Sequence, residues 1–142
     1  MSKMVVGWKE KAALTELGIE RIKVKIDTGA KTSSLHAKDI NIFTKDNVEY
    51  VSFKTAPSRQ FPKRIIECTA KIIDYRKITS SNGHTQSRYI IRTPITIGGK
   101  TWNIDISLTE RSKMRYKMLL GREAMKNILV SPHQAYILPS TK

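Results

Sequence analysis

The clearest pattern in this chain is an alternation of apolar and basic residues shortly after its start. Within residues 21–26, isoleucine or valine at every even position alternates with lysine or arginine at every odd position. A period of two is typical of a strand with one buried face. The pattern ends at Asp27, and Gly29 follows two residues later, which predicts a tight turn. The sequence thus predicts that a rigid strand presents the Asp27 carboxylate in an open turn, as catalytic acids are commonly held.

Comparable apolar patterns predict strands along most of the chain. The predicted strands cover residues 4–8, 22–26, 33–37, 39–44, 47–54, 65–75, 94–97, 102–108 and 135–138. Residues 9–17 suit either a short helix or a strand that leads to a turn at Gly18. Two prolines within residues 55–64 exclude a central strand, so this segment is predicted to be a loop. A short helix is predicted over residues 123–129, and a Ser-Pro pair ends it.

Turn-forming residues predict how neighbouring strands are joined. Residues 45–47 separate two of the predicted strands and favour a hairpin. Asn82-Gly83 is the strongest short-range signal for a two-residue type I′ turn, and its polar flanks predict a hairpin that projects into solvent. Gly98-Gly99 lies between two cleanly alternating segments and predicts another hairpin.

Length and composition indicate one globular domain over residues 1–142. Apolar residues make up 39% of the chain and charged residues 27%, which is typical of soluble globular proteins rather than disordered ones. No stretch approaches the roughly 18 apolar residues of a membrane span, and the apolar run at the start is too short for a signal peptide. The single Cys68 cannot form an internal disulfide, so a cytoplasmic protein with a buried structural thiol is expected.

The formal net charge of +14 favours anionic partners such as nucleic acid, a ribosome, an anionic membrane surface or an acidic polypeptide. Aromatic residues are only 7% of the chain, which gives little support for stacking on single-stranded bases. Four basic residues recur with a period of two near the end of the chain: Arg111, Lys113, Arg115 and Lys117. An extended segment would place these cations on one face, which either binds acidic residues of a substrate or is simply solvated.

Three segments, in the same order along the chain, resemble parts of an aspartic protease. Asp27-Thr28-Gly29-Ala30 after an apolar strand resembles the catalytic signature of that class. Residues 118–125, Met-Leu-Leu-Gly-Arg-Glu-Ala-Met, resemble the second signature of the retropepsins. The predicted hairpin with Asn82, Gly83 and His84 at its tip lies between them, where the retropepsin flap would fall.

The longer form of the first segment is still more specific. Residues 25–37 read Lys-Ile-Asp-Thr-Gly-Ala-Lys-Thr-Ser-Ser-Leu-His-Ala. They resemble a bacterial retropepsin-like family once labelled ATP-dependent zinc proteases, whose members are often associated with ATP-grasp ligases that add glutamate to proteins. The resemblance implies a mainly β fold, a closed retropepsin-like barrel with one short C-terminal helix, and it favours a strand for residues 9–17.

The resemblance also implies a chemistry that needs two carboxylates. Two aspartates about 3 Å apart cannot both ionise, so they share a proton. One then activates a water molecule while the other protonates the carbonyl or the leaving amine. Because this chain contains one Asp-Thr-Gly, the resemblance implies a two-fold homodimer that pairs Asp27 with its symmetry mate.

The resemblance assigns roles to the residues around Asp27. Thr28 would lock the paired loops by hydrogen bonding, Gly29 would allow close approach of the backbone, and Ala30 would leave room for the peptide. Leu120, Gly121 and Arg122 would support the loop from below, with the arginine in a structural role. Asn82, Gly83 and His84 would contact the substrate from a flap, although an ordinary solvent hairpin is the alternative.

Other candidate chemistry is weaker. Asp105 is the other acid in a regular strand of the second half, but it alternates with isoleucines and should face solvent. His36, His84 and His133 are isolated, and no His-Glu-x-x-His motif occurs, so no metal and no cofactor are predicted.

The sequence therefore favours an aspartic endopeptidase that acts as a homodimer. Acidic, glutamate-rich protein tails are its possible substrates. The association of the family with glutamate ligases and the net charge of +14 both point to such tails. The alternative is a non-catalytic module on the same barrel that binds a peptide, a ribosome or RNA through its basic surface. A metalloprotease is the third possibility.

Overall fold

The structure, a computed structural model, describes residues 3–80 and 82–139. The strands of this part of the chain are β1 (Met4–Gly7), β2 (Lys9–Leu14), β3 (Ile19–Ile26), β4 (Ser33–His36), β5 (Lys38–Lys45), β6 (Val48–Thr55), β7 (Ile66–Thr79), β8 (Thr85–Ile97), β9 (Lys100–Thr109), β10 (Met118–Leu120) and β11 (Ile128–Ser131). Two short 3₁₀ turns, Thr15–Leu17 and Arg122–Ala124, complete the regular structure of the described residues. The chain is therefore mainly β, as predicted.

Six of these strands close into a barrel. Their order is β2-β3-β10-β4-β9-β8, and Ala13 of β2 pairs with Thr96 of β8 to close the ring. Beyond β8, the strands β7, β6 and β5 continue the sheet outward as an antiparallel extension. A separate pair is formed by β1 and β11, which run parallel. The predicted closed barrel is confirmed.

The barrel core is built from the alternating positions that the sequence displays. In β3 the buried side chains are Ile19, Ile22, Val24 and Ile26, whereas the intervening basic residues are exposed. Facing strands contribute Leu35, Ile95, Ile106 and Leu120 to the same apolar cluster. Each fully buried aliphatic side chain of this size contributes roughly 1.5–3 kcal/mol to folding, so the register of β3 is strongly fixed.

The short strand β10 determines where the predicted acid lies. It pairs in parallel with β3, with Leu120 opposite Ile26, and antiparallel with β4, with Leu119 opposite Ser34. The loop of residues 27–32 joins β3 to β4 and therefore has to pass over the end of β10. Asp27 is held at this crossing, because its backbone N–H donates to the carbonyl of Leu120 at 2.9 Å.

The C-terminal region differs from the sequence-based expectation. The helix predicted over residues 123–129 is wrong: a single 3₁₀ turn, Arg122–Ala124, is followed by β11. Residues 128–131 pair in parallel with β1, and this contact with the other end of the chain outweighs the local helical pattern. The strand predicted over residues 135–138 is also wrong, because this segment is irregular.

Four other segments test the predictions made from local sequence patterns. The strand favoured for residues 9–17 is confirmed as far as Leu14, after which a 3₁₀ turn leads to Gly18. The hairpins at residues 45–47 and at Gly98-Gly99 are confirmed, and both glycines have positive φ. The hairpin between β7 and β8 is wider than predicted, since Thr79 pairs with Thr85 and Gly83 donates to the carbonyl of Ser80. A longer connection that contains the left-handed Gly83 replaces the predicted two-residue turn.

The irregular C-terminal segment is held by a buried acid that the sequence does not reveal. Glu10 is only 1% exposed. Its carboxylate accepts hydrogen bonds from the backbone N–H groups of Gly7 (2.8 Å), Ile137 (3.1 Å) and Leu138 (3.5 Å). The carboxylate thus accepts backbone hydrogen bonds that the carbonyls of a neighbouring strand would otherwise accept. It connects Gly7 of β1 with the C-terminal segment at Ile137 and Leu138.

Replacing Glu10 with alanine is expected to lower the free energy of unfolding by about 3 kcal/mol, because three buried N–H donors lose their acceptor. Urea denaturation checks this value. Glu20→Ala, at an exposed position of β3, is the matched control and should change stability by less than about 0.5 kcal/mol. Equal losses for the two variants would contradict the assigned role of Glu10.

Cys68 is buried, as predicted, and its thiol lies 3.3 Å from the carbonyl of Leu17. Burial raises the pKa of this thiol to about 11. The thiol is therefore protonated at neutral pH and is a poor nucleophile, which agrees with a structural role. None of the described residues belongs to a helix that is long and apolar enough to cross a membrane.

Candidate active site

Asp27 lies in a tight turn directly after β3, and its side chain is half-buried. Its Oδ1 atom accepts a hydrogen bond from the N–H of Gly29 at 3.0 Å, and its carbonyl accepts one from Ala30 at 3.2 Å. No hydrogen bond from the described residues reaches its Oδ2 atom, so that oxygen is available to water or to a ligand. One carboxylate oxygen is thus fixed by the turn and the other is open.

The segment after β10 supports this turn from below. The backbone N–H of Arg122 donates to the carbonyl of Ala30 at 2.8 Å, and its Nη1 donates to the carbonyl of Thr28 at 2.9 Å. The N–H of Gly121 donates to Ser33 Oγ at 3.0 Å. The loop over β10 is therefore fixed at both of its ends by residues that are more than 80 positions away along the chain.

Gly121 allows the loop to pass this closely. A Cβ atom at this position would lie 2.7 Å from the carbonyl carbon of Thr32 and 2.9 Å from the carbonyl oxygen of Lys31. Both neighbours are backbone atoms, which cannot rotate away. Leu120 and Gly121 are buried, whereas the Arg122 side chain lies at the surface of the site.

The hairpin of β7 and β8 lies next to the same loop. Arg76 and Arg88 are paired across its two strands. Arg88 Nη1 donates to Ser34 Oγ at 3.1 Å, and Arg76 Nη1 lies 3.8 Å from Glu123 Oε1, which accepts a hydrogen bond from Thr32. The stem of the hairpin therefore contacts β4 and the 3₁₀ turn, which both adjoin the loop that carries Asp27. The tip residues Asn82, Gly83 and His84 are exposed, and residue 81 lies outside the described part.

The predicted basic face does not exist as an extended strip. Residues 110–117 form turns and bends between β9 and β10, so the expected alternation is wrong. Lys113 and Arg115 are exposed, but Lys117 is buried and its ammonium group donates to backbone carbonyls, at 2.6 Å in the case of Ser112. Arg111 also points inward. Backbone carbonyls in a tight loop attract these two cations away from the surface.

His36 and Arg111 link this loop to β4. The N–H of Arg111 donates to His36 Nδ1 at 2.7 Å, which requires an unprotonated Nδ1. Burial, together with the nearby Lys117 and Lys38, lowers the pKa of His36. Neutral His36 therefore holds Arg111 in position.

Stability should consequently fall when the pH is lowered through the range in which His36 titrates. Below about 6.5 the unfolded chain binds a proton at His36, whereas the folded protein resists it down to the lowered pKa. The stabilisation is complete above that range and is lost as the pH falls through it. Wild type should lose more free energy of unfolding than His36→Asn between about pH 7.5 and pH 5, measured by urea denaturation. Identical losses would exclude His36 as the group responsible.

Several residues at this site could not be recognised from the sequence. Arg88, Ser34 and Ser107 form a buried polar cluster next to the loop, with 2.9 Å between the two serine hydroxyls. They lie on three different strands, so no motif could join them. Asp105, in contrast, forms an ion pair with Arg92, with 2.8 Å between Oδ1 and Nε. No group of three or more His, Cys, Asp or Glu side chains within the described ranges is arranged to hold a metal ion.

Known proteins resemble this chain over nearly all of its length. The family model described as retropepsin-like aspartic endopeptidase RimB matches residues 5–141. A protein from Shewanella pealeana named "Probable alpha-L-glutamate ligase" is 42% identical over 138 residues, which are 96% of this chain and 30% of that protein. A protein of the same name from Parasynechococcus marenigrum is 38% identical over 96% of this chain and 29% of its own length. The chain spans about 30% of the length of these curated relatives.

A solved structure shows the same architecture. The crystal structure of a protein of unknown function from Legionella pneumophila superposes with a TM-score of 0.80, at 28% identity, over 96% of this chain and 98% of that one. Because the family model covers almost all residues and the barrel has the expected architecture, this chain belongs to the RimB-like family of retropepsin-like proteins.

Proposed function

We propose that this protein is an aspartic endopeptidase that acts as a homodimer. The observation that carries the proposal is the Asp27 turn: one carboxylate oxygen is fixed by Gly29, and the other is open at the end of the barrel. The description of the family as retropepsin-like aspartic endopeptidases supports the same activity. A single chain supplies one such acid, so a second copy has to supply the other.

In the dimer, two Asp27 carboxyl groups would hold one proton between them. The ionised carboxylate takes a proton from a water molecule, whose oxygen attacks the peptide carbonyl carbon. The protonated carboxyl group donates to the carbonyl oxygen, which gives a tetrahedral diol. Transfer of a proton to the amide nitrogen then breaks the C–N bond and releases an amine and a carboxylic acid.

The neighbouring elements would keep this geometry rigid. Arg122 and Gly121 hold the loop through backbone contacts, and Thr28, exposed at its crest, would contact the same residue of the second copy. The β7–β8 hairpin, anchored by Arg76 and Arg88, would serve as the flap that brings Asn82, Gly83 and His84 to the peptide. Such closure excludes bulk water and orients the scissile bond.

We propose acidic, glutamate-rich polypeptides as substrates. The net charge of +14 attracts polyanions over distances of about a Debye length. Relatives that contain a segment like this chain bear the name alpha-L-glutamate ligase, and a ligase of that kind would make a product of this class. Such a ligase and a hydrolase that acts on its product would form a chemically coherent pair. The lone buried thiol of Cys68 fits a reducing compartment, so the cytoplasm is the compartment that we propose.

The test is incubation of the protein with a glutamate-tailed peptide across about pH 4 to 8, followed by mass spectrometry of the products. Light scattering of the same sample gives its mass in solution. Cleavage together with a dimeric mass supports the proposal. A protein that remains a monomer with saturating peptide and cleaves nothing would contradict it.

A second candidate is a non-catalytic module that binds an acidic peptide, a ribosome or RNA. The net charge of +14 favours it, because binding of a polyanion needs neither a dimer nor a catalytic acid. Steeply salt-dependent RNA binding that Asp27→Asn leaves unchanged, without any hydrolysis, would favour this function.

A further inference from the structure

Arg88 points from the hairpin stem into the site and is held in one orientation. Its Nη1 donates to Ser34 Oγ at 3.1 Å and lies 3.4 Å from Ser107 Oγ, and its Nε donates to Gln86 Oε1 at 3.0 Å. The Ser107 hydroxyl in turn donates to the carbonyl of Ser33 at 3.0 Å. A long cationic side chain is thus fixed by neutral partners on β4 and β9.

Arg111 is fixed in the same neighbourhood. Its Nε and Nη2 donate to the carbonyl of Tyr116 at 3.2 and 3.1 Å, and its backbone N–H donates to His36. Burial lowers the pKa of Arg111, the charge of Arg88 lowers it further, and the Asp27 carboxylate raises it. Arg111 therefore lies within electrostatic range of both the Arg88 guanidinium and the Asp27 carboxylate.

Neither guanidinium has an anionic partner. No ion pair of residues 3–80 and 82–139 includes Arg88 or Arg111, although both side chains are half-buried. Burial lowers the pKa of Arg88 as well. Two neighbouring cations are thus partly withdrawn from water with only neutral hydrogen-bond acceptors, and the Asp27 carboxylate acts on Arg111 without forming an ion pair, so their charge is only partly compensated. A carboxylate matches the planar fork of an arginine.

The position of the pair relative to Asp27 follows from the strand pairing. Ser34, which holds Arg88, lies opposite Leu119 of β10, and Asp27 continues β3 on the other side of β10. Two strand spacings are about 10 Å. An extended peptide covers about 3.3 Å per residue, so a side chain within a few residues of a bond held at Asp27 would reach the arginines.

We propose that Arg88 and Arg111 form a carboxylate subsite that binds an acidic side chain of the peptide near the scissile bond. This inference rests on the proposed endopeptidase function and specifies which residues select the substrate. Arg88 and Arg111 are positioning residues for the substrate and take no part in proton transfer.

The test compares two peptides that differ by a Glu→Gln replacement at one position near the cleaved bond, scanned position by position. In wild type, at least one Glu→Gln replacement should lower kcat/KM about 30-fold, as is typical when one partner of a desolvated charge pair is removed. In Arg88→Gln the same replacement should change kcat/KM less than about 3-fold, because the partner charge is already absent. Arg111→Lys keeps the positive charge but loses the planar guanidinium group. It provides a second variant should Arg88→Gln not fold.

Arg92→Gln is the matched control, since it removes an exposed arginine of the same strand whose charge is already paired with Asp105. It should retain the wild-type preference for Glu over Gln. Equal sensitivity of wild type and both site variants to the peptide replacement would overturn the subsite. So would the absence of any preference for Glu in wild type.

A binding measurement separates this inference from the proposed function. Titration of Asp27→Asn with the Glu and Gln peptides, by calorimetry, requires no hydrolysis. A preference for the Glu peptide that disappears on adding Arg88→Gln or Arg111→Lys supports the subsite even if wild type cleaves nothing. If wild type cleaves the peptide but Asp27→Asn binds both peptides equally, the proposed peptidase activity is supported and the subsite is overturned.

Discussion

Replacing Asp27 with asparagine is expected to lower kcat for hydrolysis of a glutamate-tailed peptide by about 10³-fold or more. The amide has the size of the carboxylate and keeps an oxygen that can accept the Gly29 N–H, so the turn should survive. What is lost is the group that accepts a proton from water and shares a proton with the second copy. In the dimer both acids are lost at once. The measurement is single-turnover hydrolysis, together with thermal unfolding to show that the fold is unchanged.

Asp105→Asn is the matched control for this experiment. It removes an acid of the same type from β9, where the carboxylate is already paired with Arg92. Its activity should stay within about 3-fold of wild type. Equal activity of Asp27→Asn and wild type would refute the aspartic peptidase mechanism, whereas loss of activity in both variants would point to another acid or to a general electrostatic effect.

Replacing Gly121 with alanine is expected to lower the free energy of unfolding by about 3 kcal/mol and to abolish activity. The added Cβ would lie 2.7 Å from the Thr32 carbonyl carbon, and the backbone loop that it meets cannot rotate out of the way. Relief of the clash would have to lift the loop away from β10. This movement would break the Asp27 N–H bond to Leu120 and displace the catalytic acid. Urea denaturation and the peptide assay measure the two effects.

Gly83→Ala separates this clash from the general cost of replacing a glycine. Gly83 has a φ of +86° but no atom within 4 Å of an added Cβ, so the variant carries backbone strain of about 1–2 kcal/mol and no collision. Gly121→Ala should be clearly the less stable of the two. If both variants unfold at the same urea concentration, the close approach of loop and strand is not what Gly121 provides.

Much of the fold could be predicted because it depends on contacts that the local pattern encodes. The alternation before Asp27 predicts β3, and its isoleucines and valine are the residues that the barrel buries. Gly98-Gly99 predicts a hairpin because two consecutive residues with positive φ favour glycine. The resemblance to retropepsins then supplied the closure of the barrel, which no single segment could show.

The errors occur where a distant part of the chain competes with the local pattern. Residues 123–129 have a helical pattern, yet residues 128–131 pair with β1 from the opposite end of the sequence. The basic residues of the predicted face alternate as in a strand, yet the ammonium group of Lys117 turns inward to donate to carbonyls of its own loop. In both cases a tertiary hydrogen-bonding partner decides the conformation.

By itself, the sequence determined that a half-buried strand ends at Asp27, that a glycine turn follows, and that the chain carries a net charge of +14. Only the tertiary structure decided what surrounds that acid. It places Gly121 beneath the loop and brings Arg111 within electrostatic range of both Asp27 and Arg88, from segments with no common motif. The physical reason is that periodicity reports which face of an element is buried, whereas a site forms from the ends of elements that only barrel closure brings together.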